Sequence, residues 1–422
     1  MNDDVLNSLQ AERSEASESH IMVVGVGGGG SNAVNFMREL HIQDVNYMVC
    51  NTDQQALDIS PVELKVRLGA SGEGAGNNPA EGRRAAIESL DVIKQSFQNY
   101  STKMVFIAAA MGGGTGTGAS PVIAKLAREM GILSVAIVTT PIRDEGPLRY
   151  QQALEGIEEL RQSVDSLLII DSDHIAKMAL NMKFNDAMSL PDKVLASAAK
   201  GIAEIITIKS SRTNIDFADV SRVLRNRGRT HMGVGRAAGE NRAEMAARSA
   251  LNAPLLDSCS IRGARTILLN ISCADSESLV YNELMTILKV IQSEAKYIDE
   301  RGKLRIADII WGNSEKADLD DDLEVIVVAT NFAEVDPKAV VKEPAADEDP
   351  DETSDETEST DEIADDPTDE IATEQEQSEE QSDERKRPQI TSRTVWEELK
   401  SIANRVISTV EEALGDQDDC KF

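Results

Sequence analysis

Five glycines and two threonines occupy the seven positions Gly112–Gly118, and this segment limits what the chain can fold into more than any other. It follows the apolar run Met104–Ala109, which we expect to be a buried strand, and it precedes Ser120 and Pro121. Those two residues predict the start of a helix, with serine as the N-cap and proline in the first turn. Glycines and hydroxyls at such a turn offer close N–H and O–H donors, which suits a phosphate. The lysine of the P-loop pattern G-x-x-x-x-G-K-S/T is missing, so the sequence excludes an ordinary P-loop NTPase.

A second glycine-rich segment, Gly25–Gly30, follows the predicted strand that begins at Ile21 and opens a helix that we expect to begin near Ser31. Its spacing fits G-x-G-x-x-G, the dinucleotide-binding fingerprint, and Asp53 lies close to the position of a ribose-binding acid. On its own, this motif leaves two interpretations open. One is a nicotinamide-dependent oxidoreductase, and the second is a glycine turn that only packs a helix against a strand.

Short apolar runs alternate with segments of helical periodicity from residue 21 to about residue 190, which indicates a parallel sheet covered on both faces. A long helix is expected from Asp192 to Ser210, with apolar residues over a broad arc. The fold class that we expect is α/β, with a parallel-sheet domain and a second α/β domain joined by this long central helix. The expected limits are 1–20 for a polar, disordered leader, 21–190 for the first domain, 191–210 for the central helix, 211–332 for the second domain, 333–390 for a disordered acidic linker and 391–422 for a C-terminal amphipathic helix.

The net charge of −31 is concentrated in one segment, since 21 of the 42 residues from Glu343 to Glu384 are Asp or Glu and none is Lys or Arg. Such a composition buries too little apolar surface to fold, so we expect a disordered linker. An acidic chain also repels phosphate backbones, which argues against nucleic-acid binding. The four cysteines and four histidines are dispersed, so the sequence predicts no metal site built from them and a reducing, cytoplasmic location.

Apolar residues recur every three or four positions from Thr394 to Leu414, which predicts an amphipathic helix. Four glutamates on this helix oppose binding to an anionic lipid surface, so direct membrane insertion is not expected. Two interpretations of it stay open. The helix packs on its own globular body, or it binds a partner protein in a groove.

Six segments, in this order, resemble the motifs of the tubulin/FtsZ family of GTPases. They are Gly25–Asn32, Asn51–Asp53, Gly74–Pro79, Gly112–Gly118, Glu145–Arg149 and Asn214–Asp219. The resemblance implies GTP as the substrate, bound across the carboxyl ends of the strands, with Mg²⁺ on its phosphates. It also implies a homopolymer of head-to-tail filaments, which in this family forms the cell-division ring at mid-cell. The C-terminal helix would then bind membrane-anchoring adaptor and division proteins.

By the same resemblance, Gly112–Gly118 wrap the phosphates, Glu145 and Arg149 bind the ribose, and Asp192 recognises guanine. A carboxylate can accept hydrogen bonds from both the ring N–H and the exocyclic amine of guanine. The implied nucleotide-binding residues are Gly28, Gly29, Gly30, Ser31, Asn32, Asp53, Gly76, Asn78, Gly112, Gly113, Gly114, Thr115, Gly116, Thr117, Gly118, Glu145, Arg149 and Asp192. One departure concerns Met188, which stands where the family usually has an aromatic side chain that stacks on the base.

The implied catalytic residues are Asn214, Asp216 and Asp219. In this family these residues enter the GTP site of the next subunit and polarise the attacking water, so hydrolysis requires polymerisation. The residues alone leave a second interpretation open, in which Asn214 caps a helix that carries two solvated acids in its first turn.

Purely structural roles also fit several of these side chains. Asp192 is a possible N-cap of the long helix, and Glu145 with Arg149 fits a surface salt bridge at i,i+4 spacing. For the whole chain, a filament-forming GTPase with a role outside division is the alternative to a division protein. An NAD-dependent oxidoreductase is a remote possibility, because it leaves Gly112–Gly118 unexplained.

Overall fold

The computed structural model describes residues 19–332, except 41, 43, 209–212, 253–260, 276–277 and 300. The leader up to residue 18, the acidic linker and the C-terminal helix lie outside the described residues, so what the sequence predicts for them stays a prediction. Among the described residues, no helix is both long enough and apolar enough to cross a membrane.

Seven strands form the first sheet, and every neighbouring pair in it is parallel. Their bounds are β1 Ile21–Val26, β2 Asn46–Asn51, β3 Leu64–Arg67, β4 Met104–Ala110, β5 Leu133–Thr139, β6 Ser166–Ile170 and β7 Gly228–Arg229. The order β3-β2-β1-β4-β5-β6-β7 means that the chain runs outward from β1 on one side and then continues from β4 on the other. The carboxyl ends of β1 and β4 therefore form a topological switch point, which is where open parallel sheets bind ligands.

Helices cover both faces of this sheet. Up to the second sheet they are α1 Gly27–Glu39, α2 Gln54–Ile59, α3 Pro79–Glu88, α4 Leu90–Asn99, α5 Gly114–Glu129, α6 Pro147–Ser163, α7 Ser172–Ala179, α8 Phe184–Thr207 and α9 Phe217–Leu224. Val23 of β1 lies in one core with Val34 of α1, whereas its neighbour Val24 lies in another core with Ile123 of α5. Burial on both sides explains why the strands are continuously apolar, and the predicted doubly covered parallel sheet is confirmed.

The central helix α8 begins at Phe184, and the start expected at Asp192 is wrong. Pro191 lies inside the helix, where the packing of a long apolar face outweighs the loss of one backbone hydrogen bond. Ile202 of this helix shares one buried core with Met232 and Ile326 of the second sheet. The helix therefore packs between the two sheets and joins them.

The second sheet has four strands in the order β12-β9-β13-β8, of which β12 and β9 are parallel and the other pairs antiparallel. The remaining elements are β8 His231–Ala237, α10 Arg242–Leu251, β9 Ala264–Cys273, α11 Tyr281–Glu294, β10 Lys296–Ile298, β11 Leu304–Ile306, β12 Asp308–Glu315 and β13 Leu323–Phe332. Helices α10 and α11 bury their apolar residues against this sheet. The sequence predicts β9, β12 and β13, but it indicates neither β8 nor α11, and the two glycines of β8 are more typical of a turn.

The glycines of β8 explain how that strand packs. A Cβ atom at Gly233 would overlap the Ala250 carbonyl oxygen of α10, and one at Gly235 would overlap the Ala246 carbonyl oxygen. The helix backbone thus lies directly on the strand, which no larger residue permits.

We expect Gly233→Ala to lower the free energy of unfolding by about 1–3 kcal/mol, because the added methyl group must displace the α10 backbone. Urea unfolding followed by circular dichroism measures the change. Val234→Ala is the matched control, since Val234 is the exposed residue between the two glycines. An equal loss in the two variants would contradict the close approach of strand and helix.

Candidate functional site

Each glycine-rich segment continues into the first turn of a helix, so only its first residues precede that helix. Helix α1 begins at Gly27 and helix α5 at Gly114, so the starts expected near Ser31 and Ser120 are wrong. The Ser120 hydroxyl donates a hydrogen bond of 2.6 Å to the Gly116 carbonyl, and Pro121 lies inside α5. Glycine is a poor helix former, so the sequence pattern favours a loop, but packing overrides that preference here. As a result, two sets of free helix N–H groups lie at the same switch point.

Most of these glycines are needed for packing. A Cβ atom at Gly27 would lie 2.8 Å from the Gly116 backbone nitrogen, so the two helix starts are in direct contact. One at Gly30 would overlap the Ala108 carbonyl oxygen of β4, and one at Gly118 would overlap the Pro79 carbonyl oxygen of α3. Gly29, Gly112, Gly114 and Gly116 are crowded in the same way.

Two glycines differ from the rest. A Cβ atom at Gly28 or at Gly113 would meet no other atom within 4 Å. Gly113 is the N-cap residue of α5, and Gly28 is in the first turn of α1. Their backbones therefore face open space at the switch point, which is the position that a phosphate bound by helix N–H groups requires.

The two threonines of the second segment have different roles. The buried Thr117 hydroxyl accepts a hydrogen bond of 2.8 Å from the Gly112 nitrogen, so it holds the turn closed. The Thr115 hydroxyl lies 2.7 Å from the Thr52 hydroxyl, which joins α5 to the segment after β2. Thr52 is a residue that the site prediction misses, because the contact spans parts of the chain that no sequence pattern links.

Asp53 and Asn78 both cap helices. Asp53 accepts hydrogen bonds from the Gln55 and Ala56 nitrogens at the start of α2, and Asn78 accepts one of 3.0 Å from Ala80 at the start of α3. Between them, the Gly74 nitrogen donates to the Thr52 carbonyl, which keeps this segment at the same edge of the sheet. Gly76 is in the left-handed region, at φ 56°, with open space around it.

Glu145 and Arg149 form the salt bridge that their spacing suggests, with 3.1 Å between Oε2 and Nη1. Glu145 also accepts a hydrogen bond from the Ile142 nitrogen through Oε1. Both side chains are exposed, and a Cβ at Gly112 would lie 2.8 Å from the Arg149 carbonyl oxygen. The pair therefore lies beside the second glycine segment, and its role toward a ligand stays a prediction.

Asn32 of α1 and Asp192 of α8 meet through a side-chain hydrogen bond. Burial raises the pKa of Asp192 to about 7, although the hydrogen bond from Asn32 acts to lower it. Asp192 does not cap α8, because the helix begins at Phe184 and Lys183 is its N-cap. The neighbouring Ser31 hydroxyl is buried and has no hydrogen-bond partner among the described residues.

Met188 lies one helical turn before Asp192 and is 61% exposed. Its side chain is therefore free to pack on a flat apolar ligand, as the polarizable thioether of methionine allows.

The acids at the start of α9 form a reciprocal cap. Asp216 is the N-cap and accepts a hydrogen bond of 2.8 Å from the Asp219 nitrogen, and Asp219 accepts one of 3.4 Å from the Asp216 nitrogen. The interpretation in which Asn214 caps this helix is wrong. The capping bonds fix the carboxylates in one orientation at a helix start.

The last residue of α9 lies at the amino edge of the first sheet, whereas the glycine-rich helix starts lie at its carboxyl edge. The Ser166 hydroxyl at the amino end of β6 donates 2.7 Å to the Leu224 carbonyl at the end of α9. From Asp192 at the carboxyl edge, α8 continues to Thr207, a rise of roughly 22 Å. Helix α8 therefore leads the chain away from the glycine-rich helix starts before it reaches Asp216 and Asp219. Among the described residues, no group of three or more His, Cys, Asp or Glu side chains could hold a metal ion.

Comparisons with known proteins agree with this geometry. Residues 20–179 match the family model described as "Tubulin/FtsZ family, GTPase domain", and residues 228–333 match "FtsZ family, C-terminal domain". The chain is 41% identical to the cell division protein FtsZ of Rickettsia bellii over 331 residues, which cover 78% of this chain and 70% of that protein. It is 42% identical to the FtsZ of Buchnera aphidicola over 316 residues, or 74% and 79% of the two chains.

Solved structures of similar fold include proteins of M. jannaschii and Haloferax volcanii. An FtsZ dimer of M. jannaschii, solved empty, has a TM-score of 0.66 and 35% identity, and the match covers 77% of this chain and 91% of that one. CetZ1 from Haloferax volcanii, bound to GDP, has a TM-score of 0.64 at 19% identity, with 75% and 95% covered, and this likeness concerns the fold alone.

We expect Gly113→Ala to leave the free energy of unfolding within about 1 kcal/mol of the parent while it weakens nucleotide binding, because the methyl group points into open space where a phosphate would bind. Gly118→Ala is the matched variant and should lose stability, because its methyl group meets the Pro79 backbone. Chemical unfolding and calorimetric titration with GTP measure the two effects. Unchanged affinity in a folded Gly113→Ala protein would contradict the assignment of the open glycines.

Proposed function

Because the chain belongs to the tubulin/FtsZ family of GTPases, we propose that it is a cell-division GTPase that assembles head to tail into filaments and completes each hydrolytic site between adjacent subunits. The observation that supports this proposal is the course of α8, which leads the chain roughly 22 Å away from Asp192 and Asn32 before it reaches Asp216 and Asp219. A head-to-tail contact places the amino edge of one subunit on the carboxyl edge of the next. Only such a contact brings the acids to the nucleotide.

The nucleotide half of the site is built from three parts of one subunit. The phosphates lie against the open backbones of Gly28 and Gly113, with the donors of the α1 and α5 helix starts around them. Guanine lies against the hydrogen-bonded pair Asn32 and Asp192, and Met188 packs on the base in place of an aromatic ring. Each of these assignments agrees with the residues that the sequence resemblance implies.

Mg²⁺ is expected on the phosphates, where it neutralises the charge that develops as the terminal phosphoryl group leaves. The described residues contain no acidic cluster for the ion, so phosphate oxygens and water would supply most of its ligands. The hydroxyls of Thr52 and Thr115 are the side-chain oxygens that fit this environment.

The acidic half of the site belongs to the neighbouring subunit. Two carboxylates beside a triphosphate repel it in the ground state. Their role is therefore to orient the attacking water and to accept a proton from it. The reciprocal cap of Asp216 and Asp219 holds both groups ready before any contact forms. Asn214 lies two residues before this cap and contributes an amide at the same contact.

Filaments follow from the geometry of the contact. A head-to-tail interface is heterologous and does not close, so subunits add without limit. The similarity to an FtsZ dimer of M. jannaschii and to two cell division proteins supports self-association and a place in the division ring at mid-cell. Residues 391–422, which lie outside the described residues, are proposed to bind the membrane-anchoring adaptor and division proteins.

We expect Asp219→Ala to bind GTP within about twofold of the parent and to lose at least about 99% of its turnover, because the water is no longer oriented while the pocket is intact. Phosphate release is measured over a series of protein concentrations, with light scattering in parallel. Glu244→Ala is the control, since Glu244 is an exposed acid of α10 that pairs with Arg248 at i,i+4 spacing. If phosphate release by the parent is strictly proportional to protein concentration and no scattering appears, the composite site is contradicted.

Mixing two inactive variants tests the composite site directly. Asp219→Ala retains the nucleotide half, whereas Gly113→Asp places a charge against the phosphates and retains the acidic half. In a random equimolar filament about a quarter of the interfaces combine the two intact halves, so the mixture should recover a comparable share of the parent rate. No recovery, with both variants present in sedimented polymer, would contradict hydrolysis across the contact.

Binding of GTP should weaken as the pH falls through 7. Only the ionised carboxylate of Asp192 can accept both donors of guanine, and its pKa of about 7 means that the ionised form dominates above pH 7 and is lost below it. We therefore expect the affinity to fall by about tenfold between pH 8 and pH 6. Asp192→Asn should bind more weakly at pH 8 and show a flatter profile. Identical profiles for the two proteins would remove Asp192 from base recognition.

A further inference from the structure

A buried ion cluster joins the central helix to the second sheet. Lys316, which follows β12, lies between Glu204 of α8 and Glu324 of β13, with Nζ 2.8 Å from Glu204 Oε2 and 2.5 Å from Glu324 Oε1. The three side chains are only 11%, 12% and 17% exposed. Lys200, one turn before Glu204 on the same helix, adds a second positive charge at 3.6 Å.

Lys316 is charged in this cluster. Burial acts to lower its pKa, but the charges of Glu324 and Glu204 more than offset burial, so the pKa of Lys316 is raised. Ion pairs this deeply buried add little net stability, because the free-energy cost of removing the charged groups from water offsets most of their electrostatic attraction. Their clearest effect is to fix the relative position of the elements that carry them.

Lys316 follows directly on residues that contact the chain just before Asp216. The Asn313 nitrogen, three residues before Lys316, donates 3.1 Å to the Thr213 carbonyl. Gly312 has no side chain, and a Cβ there would lie 2.7 Å from Ile215 Cγ1, so Ile215 packs directly on the β12 backbone. One short stretch, residues 312–316, thus holds the last turns of α8 and the residues just before Asp216.

We propose that Lys316 is a positioning residue for hydrolysis, which sets where Asp216 and Asp219 stand by fixing the end of α8 on the same stretch of chain that holds Thr213 and Ile215. This inference rests on the proposed function, in which those acids act on the nucleotide of the next subunit. The Lys316 nitrogen donates 2.9 Å to the Cys273 carbonyl of β9, so the stretch is itself fixed to the sheet. Lys316 touches no reacting group and acts through the position of the acids.

The test uses the full-length chain and four variants. Lys316→Met leaves Glu324 without its partner and Glu204 with only Lys200 at 3.6 Å, so it is at risk of misfolding. The triple variant Glu204→Gln, Lys316→Met, Glu324→Gln removes the charges of these three side chains and nearly keeps their volumes. Lys316→Arg keeps the charge. Arg236→Met with Asp322→Asn is the matched control, because that partly buried pair joins β8 to the residue before β13 at 2.6 Å but does not include α8.

Three quantities are measured for each variant: GDP affinity of the monomer, turnover per polymerised subunit, and hydrogen exchange of the backbone amides in residues 213–219. For the triple variant we expect GDP affinity within about twofold of the parent, at least about tenfold lower turnover, and faster exchange in this segment. Lys316→Arg should recover most of the turnover. The control should keep both parental turnover and parental exchange in residues 213–219, whatever stability it loses.

Three results would overturn the inference in separable ways. Parental turnover and exchange in a folded triple variant, with a threshold concentration still present in the parent, would remove Lys316 and leave the proposed function standing. A parent without any threshold would overturn the composite site, and the positioning role with it. An equal loss of turnover in the Arg236/Asp322 control would mean that the effect is general destabilisation, which also contradicts the inference.

Discussion

The rest of the structure depends on one constraint, the close contact of glycine backbones with neighbouring backbones near the carboxyl ends of β1 and β4. Gly27 meets Gly116, Gly30 meets the β4 backbone, and Gly118 meets α3. Because these contacts bring α1 and α5 close together, two helix starts share one edge of the sheet. That convergence leaves a small number of unobstructed N–H groups, and Gly28 and Gly113 mark where they are open. The proposed phosphate site is therefore the open space that remains after the packing requirements of the other glycines are met.

Three helix caps combine a structural role with the role that is proposed for them toward the nucleotide. Asp53, Asn78 and Asp216 each satisfy helix N–H groups, which alone would justify their presence. The same bonds hold a loop or a carboxylate in a single orientation before any ligand arrives. A structural role and a role toward the nucleotide are thus compatible in one residue, and the first makes the second more favourable because less order must be created on binding.

The sequence predicts the strands of the first sheet because their apolar runs are continuous and separated by periodic helices. It places the starts of α1, α5 and α8 wrongly, since low helix propensity of glycine and proline is outweighed by packing that only the folded chain contains. The sequence does not predict strand β8 for the same reason: Gly233 and Gly235 are typical of a turn, and only the folded chain shows that α10 packs on them. The contacts Thr52–Thr115 and Glu204–Lys316 join distant segments, and no local pattern carries them. The sequence motifs do name the candidate residues, yet they cannot separate glycines that pack from glycines that face a ligand.

In the proposed assembly the pocket and the acids of one subunit face different neighbours, which has a consequence for the ends of a filament. At one end, the terminal subunit presents a loaded nucleotide pocket that no neighbour has supplied with acids. At the other end, the terminal subunit presents Asp216 and Asp219 with no nucleotide to act on. In such a filament the two ends would be chemically unlike, and the exposed pocket would retain its triphosphate for as long as it stays uncovered. The proposed contact would therefore give the filament a built-in polarity and an unhydrolysed cap at one end.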